Sequence, residues 1–209
     1  MKRQLVSIGA VLLVCSLIMC VGQAQIPEKF FEEYSKIEAS QNDIDSTFNS
    51  YWDQQTKRID YATKNMNNHD IDYLYMISML KTEQQILDEI ADKKANYSTQ
   101  ITGFYESVKQ VEGGDATSKA NELIITLRKS EQYLGNAVLR YSTATNAVGT
   151  IMNYYATDAN LSDPEIIDAI EAGDLTARTN FQEGDNFLTQ YYQSIDEANA
   201  TYQELIKMK

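Results

Sequence analysis

The side chains that could do chemistry in this chain are mostly aromatic, carboxylate and amide groups. Fourteen tyrosines occur. Tyr154-Tyr155 and Tyr191-Tyr192 are adjacent pairs, and Tyr73 and Tyr75 stand one residue apart. In each adjacent pair one ring (Tyr155, Tyr191) falls on an apolar row, and its neighbour, Tyr154 or Tyr192, flanks that row. A flanking ring beside acidic groups can stack on a sugar face or hold a cation. The plainer expectation is a ring along the rim of a core with its hydroxyl in water. The apolar rows also contain polar members: Gln41, Gln55, Gln84, Lys94, Ser130 and Asp174. Inward polar residues fix helix register at some cost in stability, or else they line a pocket between helices. Tyr154, Tyr192, Gln84 and Asp174 are therefore the residues the sequence nominates for contact with a ligand or partner.

Bond-making chemistry has little to work with. His69 is the one histidine and sits in an Asn-rich turn, and no Glu-x-x-His pair occurs. The haem, di-iron and zinc sites common in helical bundles thus lack ligands. Asp158 to Asp163 sets oxygens at the first, third and fifth positions of a calcium loop. However, Asp163 stands where glycine is needed and Ala169 where glutamate is needed, so a helix cap is the expected role. There is no Gly-x-Ser-x-Gly elbow and no second histidine for a relay. Gly113-Gly114 is not followed by the lysine of a phosphate loop. Carboxylates are plentiful, yet a glycosidase pair needs a cleft that tight helix packing does not offer. The sequence predicts no catalytic residue, no cofactor site and no metal site.

The ends and the charge narrow the setting. Lys2 and Arg3 precede an uncharged, largely apolar run from Leu5 to Val21, and Gly22-Gln23-Ala24 is a small-residue cleavage pattern. Residues 1–24 read as an export signal cut after Ala24, or as a retained membrane anchor. Lipidation at Cys20 is the third option, opposed by the large Met19 before it. Both cysteines, Cys15 and Cys20, lie in this segment, so a cut chain forms no disulfide. Without Lys2 and Arg3 the net charge moves from −12 to −14. Such a field repels phosphate backbones and anionic lipid, so no nucleic-acid partner is expected, and membrane contact only through the N-terminal segment. Asn160, Asn96 and Asn199 open Asn-x-Ser/Thr sequons, of which only Asn160 falls in an expected loop.

The elements that must position these residues are long helices. Ala120, Leu123, Leu127, Ser130, Leu134, Ala137, Tyr141, Ala144, Val148, Ile151 and Tyr155 step by threes and fours, and a similar row runs from Ile167 to Leu205. Such spacing sets one face of a gently supercoiled helix against partners. The first segment carries Phe30, Tyr34, Ile37, Gln41, Ile44 and Phe48, then rotates to Trp52, Gln55, Ile59, Ala62 and Met66. The second carries Ile77, Leu80, Gln84, Leu87 and Ala91, then slips by one position to resume at Ile90, Lys94, Tyr97, Ile101, Phe104, Val108 and Val111. Helices are expected at about 27–65, 70–112, 116–157 and 164–207, punctuated by Pro27, the Asn-rich turn, Gly113-Gly114 with Asp115 as a cap, and Asp163-Pro164. Each is about 60 Å long at ~1.5 Å per residue.

The expected fold is all-α, an antiparallel up-down-up-down four-helix bundle with coiled-coil-like packing, in one domain over residues 25–209 behind the export signal. Small residues Ala91, Ala137 and Gly184 near the helix centres would leave a cavity unless Phe48 and Trp52 fill it. The expected function is that of an exported non-enzymatic scaffold, spacer or protein-binding module, with another extracellular or cell-surface protein as partner. Extracellular, periplasmic or cell-surface placement fits equally. The alternative is a small-molecule sensing or solute-binding bundle, its ligand held among Tyr and Gln side chains.

Overall fold

A computed structural model describes residues 24–66, 71–157 and 159–209. The segment 1–23 with Cys15 and Cys20, the turn residue His69, and Asp158 lie outside the described residues. The described chain is all-helical, with four helices: α1 (Glu28–Met66), α2 (Tyr73–Val108), α3 (Gly114–Ala156) and α4 (Pro164–Met208). They share one hydrophobic core to which all four contribute. Among the described residues the only β-type pairing is a single bridge between Gln25 and Glu112.

Helix ends follow local chemistry. Pro164 opens α4 and the Asp163 carboxylate accepts from the Glu165 N–H at 3.0 Å, satisfying a donor the helix leaves orphaned. The second helix is shorter than the expected 70–112. Asp72 caps it by accepting from the Tyr75 N–H, which fixes its start at Tyr73. It ends at Val108 because Glu112 is drawn into extended pairing, exchanging both backbone hydrogen bonds with Gln25 at 3.0 Å. Asp115 is not the cap of α3. Gly113 takes that place with φ of +103°, and Asp115 lies in the first turn. A side chain at Gly113 is doubly disfavoured, by that φ and by Ala24 Cα, 3.1 Å from where a Cβ would stand.

The α3 row is buried as spaced from Ala120 to Ile151, with Val148 and Tyr155 half-buried. On α4 the row is buried at Ala177, Gly184, Leu188, Tyr191, Ala198, Tyr202 and Leu205 and half-buried at Phe181 and Ile195, whereas its expected first member, Ile167, is exposed. Two expectations on the other helices fail. The α1 row does not rotate: Tyr51 and Arg58 are buried, Trp52 is half-buried, and Ile59 and Met66 are 50% and 60% exposed. The α2 row does not slip: Met76, Leu80, Glu83, Leu87, Ile90, Tyr97, Ile101, Phe104 and Val108 keep one beat, and Ala91 is exposed. In both helices a charged residue occupies the inward position, Arg58 on α1 and Glu83 on α2.

Packing differs from seam to seam. Between α3 and α4 the backbones approach closely. A Cβ on Gly184 would lie 2.7 Å from the Tyr141 ring, and one on Gly173 would lie 3.0 Å from Ile151. α4 runs unbroken through Gly173, where the missing side chain permits that close approach. The α1–α4 seam is filled by rings instead. Tyr34 stacks on Tyr202 at 3.8 Å between centroids, and Phe30 lies 4.8 Å from Phe104 of α2. At mid-length Tyr141 is surrounded by Phe48, Tyr51 and Trp52 of α1. The space opposite Gly184 is therefore occupied by Tyr141, with Phe48 and Trp52 packed around it.

Candidate functional site

Three buried polar features stand out against this apolar core. The first is a layer through its middle. The Gln41 amide donates to the Tyr97 hydroxyl at 3.2 Å, and that hydroxyl lies 2.7 Å from Ser130 Oγ. Ser130 donates to the Leu127 carbonyl, so the hydrogen between the two hydroxyls comes from Tyr97. Burial raises the Tyr97 pKa to about 12, against the pull of its bonds with Ser130 and Gln41. The layer ties α1, α2 and α3 in one register.

The second feature is an ion pair that the sequence did not mark. Arg58 donates through Nε to Glu83 Oε1 at 2.6 Å and through Nη2 to Oε2 at 3.2 Å. Arg58 is 7% exposed and Glu83 0%. Burial pushes the Glu83 pKa up, and the Arg58 hydrogen bonds and charge pull it back. Two-point geometry of this kind is the strong form of the contact, though desolvation consumes much of its gain. The available signal was spacing: Arg58 follows Tyr51 and Gln55 by steps of four and three, and Glu83 lies midway between Leu80 and Leu87.

Beside this pair lies the third feature, a groove of about 320 Å³ between α2 and α3, lined by Ile77, Leu80, Lys81 and Gln84 and by Thr145, Asn146, Gly149, Thr150 and Asn153. Gln84 donates to Asp88 Oδ1 at 2.9 Å and to Ser142 Oγ at 3.2 Å, and its own Oε1 is buried without a partner. Thr145 is 2% exposed and its hydroxyl also lacks a partner. The Tyr51 hydroxyl stands next to it, near enough for Thr145 to temper the upward push of burial on the Tyr51 pKa, yet outside hydrogen-bonding geometry. Of the nominated contact residues, Gln84 is thus in a polar groove.

The other nominees are scattered. Asp174 lines a separate groove of about 410 Å³ between α3 and α4 with Val148, Ile151, Met152, Tyr155 and Ile170, and is ion-paired with Arg178. Tyr155 stacks on Tyr73 at 5.1 Å. Its neighbour Tyr154 is half-buried and lines neither groove. Tyr192 is exposed on α4 with its hydroxyl near the Asp45 carboxylate; burial raises the Asp45 pKa, and the nearby Tyr192 hydroxyl draws it back. The second Asp45 oxygen, Oδ1, is buried without a partner. Of the sequon asparagines, Asn160 is exposed in the α3–α4 turn and accepts from the Ser162 N–H. Asn96 is exposed in mid-helix, and Asn199 accepts from the Tyr34 hydroxyl at 2.8 Å.

Among the described residues, no group of three or more His, Cys, Asp or Glu side chains is placed to hold a metal ion. No helix among them is long and apolar enough to cross a membrane. No family model, curated protein or solved structure matches this chain.

Proposed function

We propose that this protein is an exported, non-enzymatic helical spacer that presents one end of its four-helix bundle to another extracellular or cell-surface protein. The observation that carries the reading is the uneven placing of exposed apolar side chains. Met66, Leu74, Tyr75, Leu161, Ile167 and Leu175 are exposed where α1 and α3 end and where α2 and α4 begin. The opposite end buries Phe30, Tyr34, Phe104 and Leu205 completely and leaves fewer large apolar side chains exposed, Tyr105, Ile125 and Ile206. Apolar surface left clustered on one end of a well-packed molecule is the usual mark of an interaction site. Export rests on the basic start, apolar run and small-residue pattern of residues 1–24.

The up-down-up-down, antiparallel order belongs to this reading. Its support is the direction of the contacts. Gln41 meets Tyr97 while Arg58 meets Glu83. Lys119 meets Glu204 while Tyr141 meets Asp185. Tyr34 meets Asn199 while Glu28 meets Lys209. Gln84 meets Ser142 while Tyr97 meets Ser130, so in all four pairs of neighbours the numbers fall on one helix as they rise on the other.

The test is the double substitution Leu74→Ser with Leu175→Ser in the producing cell. Both side chains are exposed, so the expected result is an unchanged melting temperature with loss of retention at the cell surface. Retention equal to that of the unaltered protein would defeat the reading.

A further inference from the structure

We propose that the groove between α2 and α3 beside Gln84 is a binding site for a free amino acid in its zwitterionic form. This goes beyond partner binding at the helix ends and survives the failure of that reading. Four observations converge. Gly149 lies inside α3, where glycine weakens a helix, and a Cβ added there would meet nothing within 4 Å. Helix packing accounts for Gly173 and Gly184, which face Ile151 and Tyr141 closely; it does not account for Gly149, whose missing side chain leaves the groove open. Gln84 has spent its amide hydrogens on Asp88 and Ser142, so its buried Oε1 requires a donor from elsewhere. The buried Thr145 hydroxyl on the facing helix has only the Tyr51 hydroxyl beside it, outside hydrogen-bonding geometry.

The fourth observation is charge. Lys81 precedes Gln84 by three residues on the same helix and so projects beside it. It lines the groove and makes no ion pair among the described residues. An ammonium group given to Gln84 Oε1 and a carboxylate given to Lys81 would answer both ends at once. Ile77 and Leu80 supply apolar wall for a side chain, and the volume of about 320 Å³ suits a small molecule. A purely anionic ligand meets the repulsion of a chain with net charge −12; a zwitterion carries no net charge and escapes it.

The experiment uses the whole protein with its native N-terminus, melted alone and with each of the twenty common L-amino acids at about 10 mM, where a ligand of the folded state raises the midpoint by mass action. One or a few are expected to raise it. Glycine betaine, which has both charges but no N–H to donate, is expected to do nothing. Gly149→Met should abolish the response by filling the groove, and Lys81→Met should weaken affinity by about tenfold. Gly149→Ala, which removes only the helix penalty of glycine, serves as the folded control and should keep some response. A flat panel overturns the proposal and leaves water as the partner of Gln84 Oε1. So does a response that persists in Gly149→Met, or one that betaine reproduces.

Discussion

Asp45 and Glu83 are two carboxylates whose pKa values burial raises, but they differ in company. Glu83 has the Arg58 guanidinium across from it, whereas Asp45 has the Tyr192 hydroxyl and one oxygen with no partner. A carboxylate with a raised folded-state pKa holds its proton more tightly when folded than when unfolded. Its contribution to stability is therefore full below the unfolded value of 3.8 and is lost as pH rises through the folded one. Asp45→Asn should accordingly melt higher than the natural protein at pH 7, with the difference shrinking to nothing as pH falls below about 4. Melting curves across that range check it, and a constant difference would mean that shape rather than charge is at work. At this scale the sequence was partly legible. Gln41 and Ser130 stood out as polar members of apolar rows, and both sit in the buried Tyr97 layer. Asp45 gave no such signal, because its burial comes from rings on a helix some 150 residues away.

Among the helices, α3 and α4 were easiest to read and α1 and α2 hardest, for one physical reason. Nearly every inward position of α3 is apolar or small, so the row announces its own face. On α1 and α2 the inward face includes Arg58 and Glu83, and charged residues are ordinarily taken as outward. Skipping them forces an apparent rotation on α1 and an apparent slip on α2, when each helix keeps its beat. The ion pair is thus one cause of two misread registers. Its energetics are testable at the same scale. Arg58→Met should destabilise by about 3–5 kcal/mol in urea unfolding, because it strands Glu83 in the core. Adding Glu83→Leu should recover most of that loss. If the double variant is no more stable than the single one, the pair does more than neutralise itself. Helix ends were legible where a side chain made the cap, as at Asp163-Pro164. They were illegible where a backbone bridge to a distant residue set the limit, as Gln25 does for α2.

Taken whole, four helices of 36 to 45 residues lie side by side. The longest spans about 65–70 Å at 1.5 Å per residue. A body of that length should give a radius of gyration of about 21 Å in small-angle scattering, against about 16 Å for a rounded domain of equal size. A value near the lower figure would refute side-by-side packing along the full length. The four-helix class and the number of helices were legible because breakers are so few. The difference between the two ends was not, since it depends on how rings from α1, α2 and α4 meet around Phe30 and Tyr34.

The small backbone clasp between Gln25 and Glu112 has a geometric corollary. It fastens the chain just beyond Ala24 to the α2–α3 turn, and Lys209 is held beside Glu28 in the same neighbourhood. Anything joined ahead of Ala24, whether lipid, membrane segment or engineered tag, leaves the body from that extremity. A protein moored there would stand like a mast, its tip the Tyr73–Tyr155 stack and the groove beside Gln84 opening on the upper half of its flank.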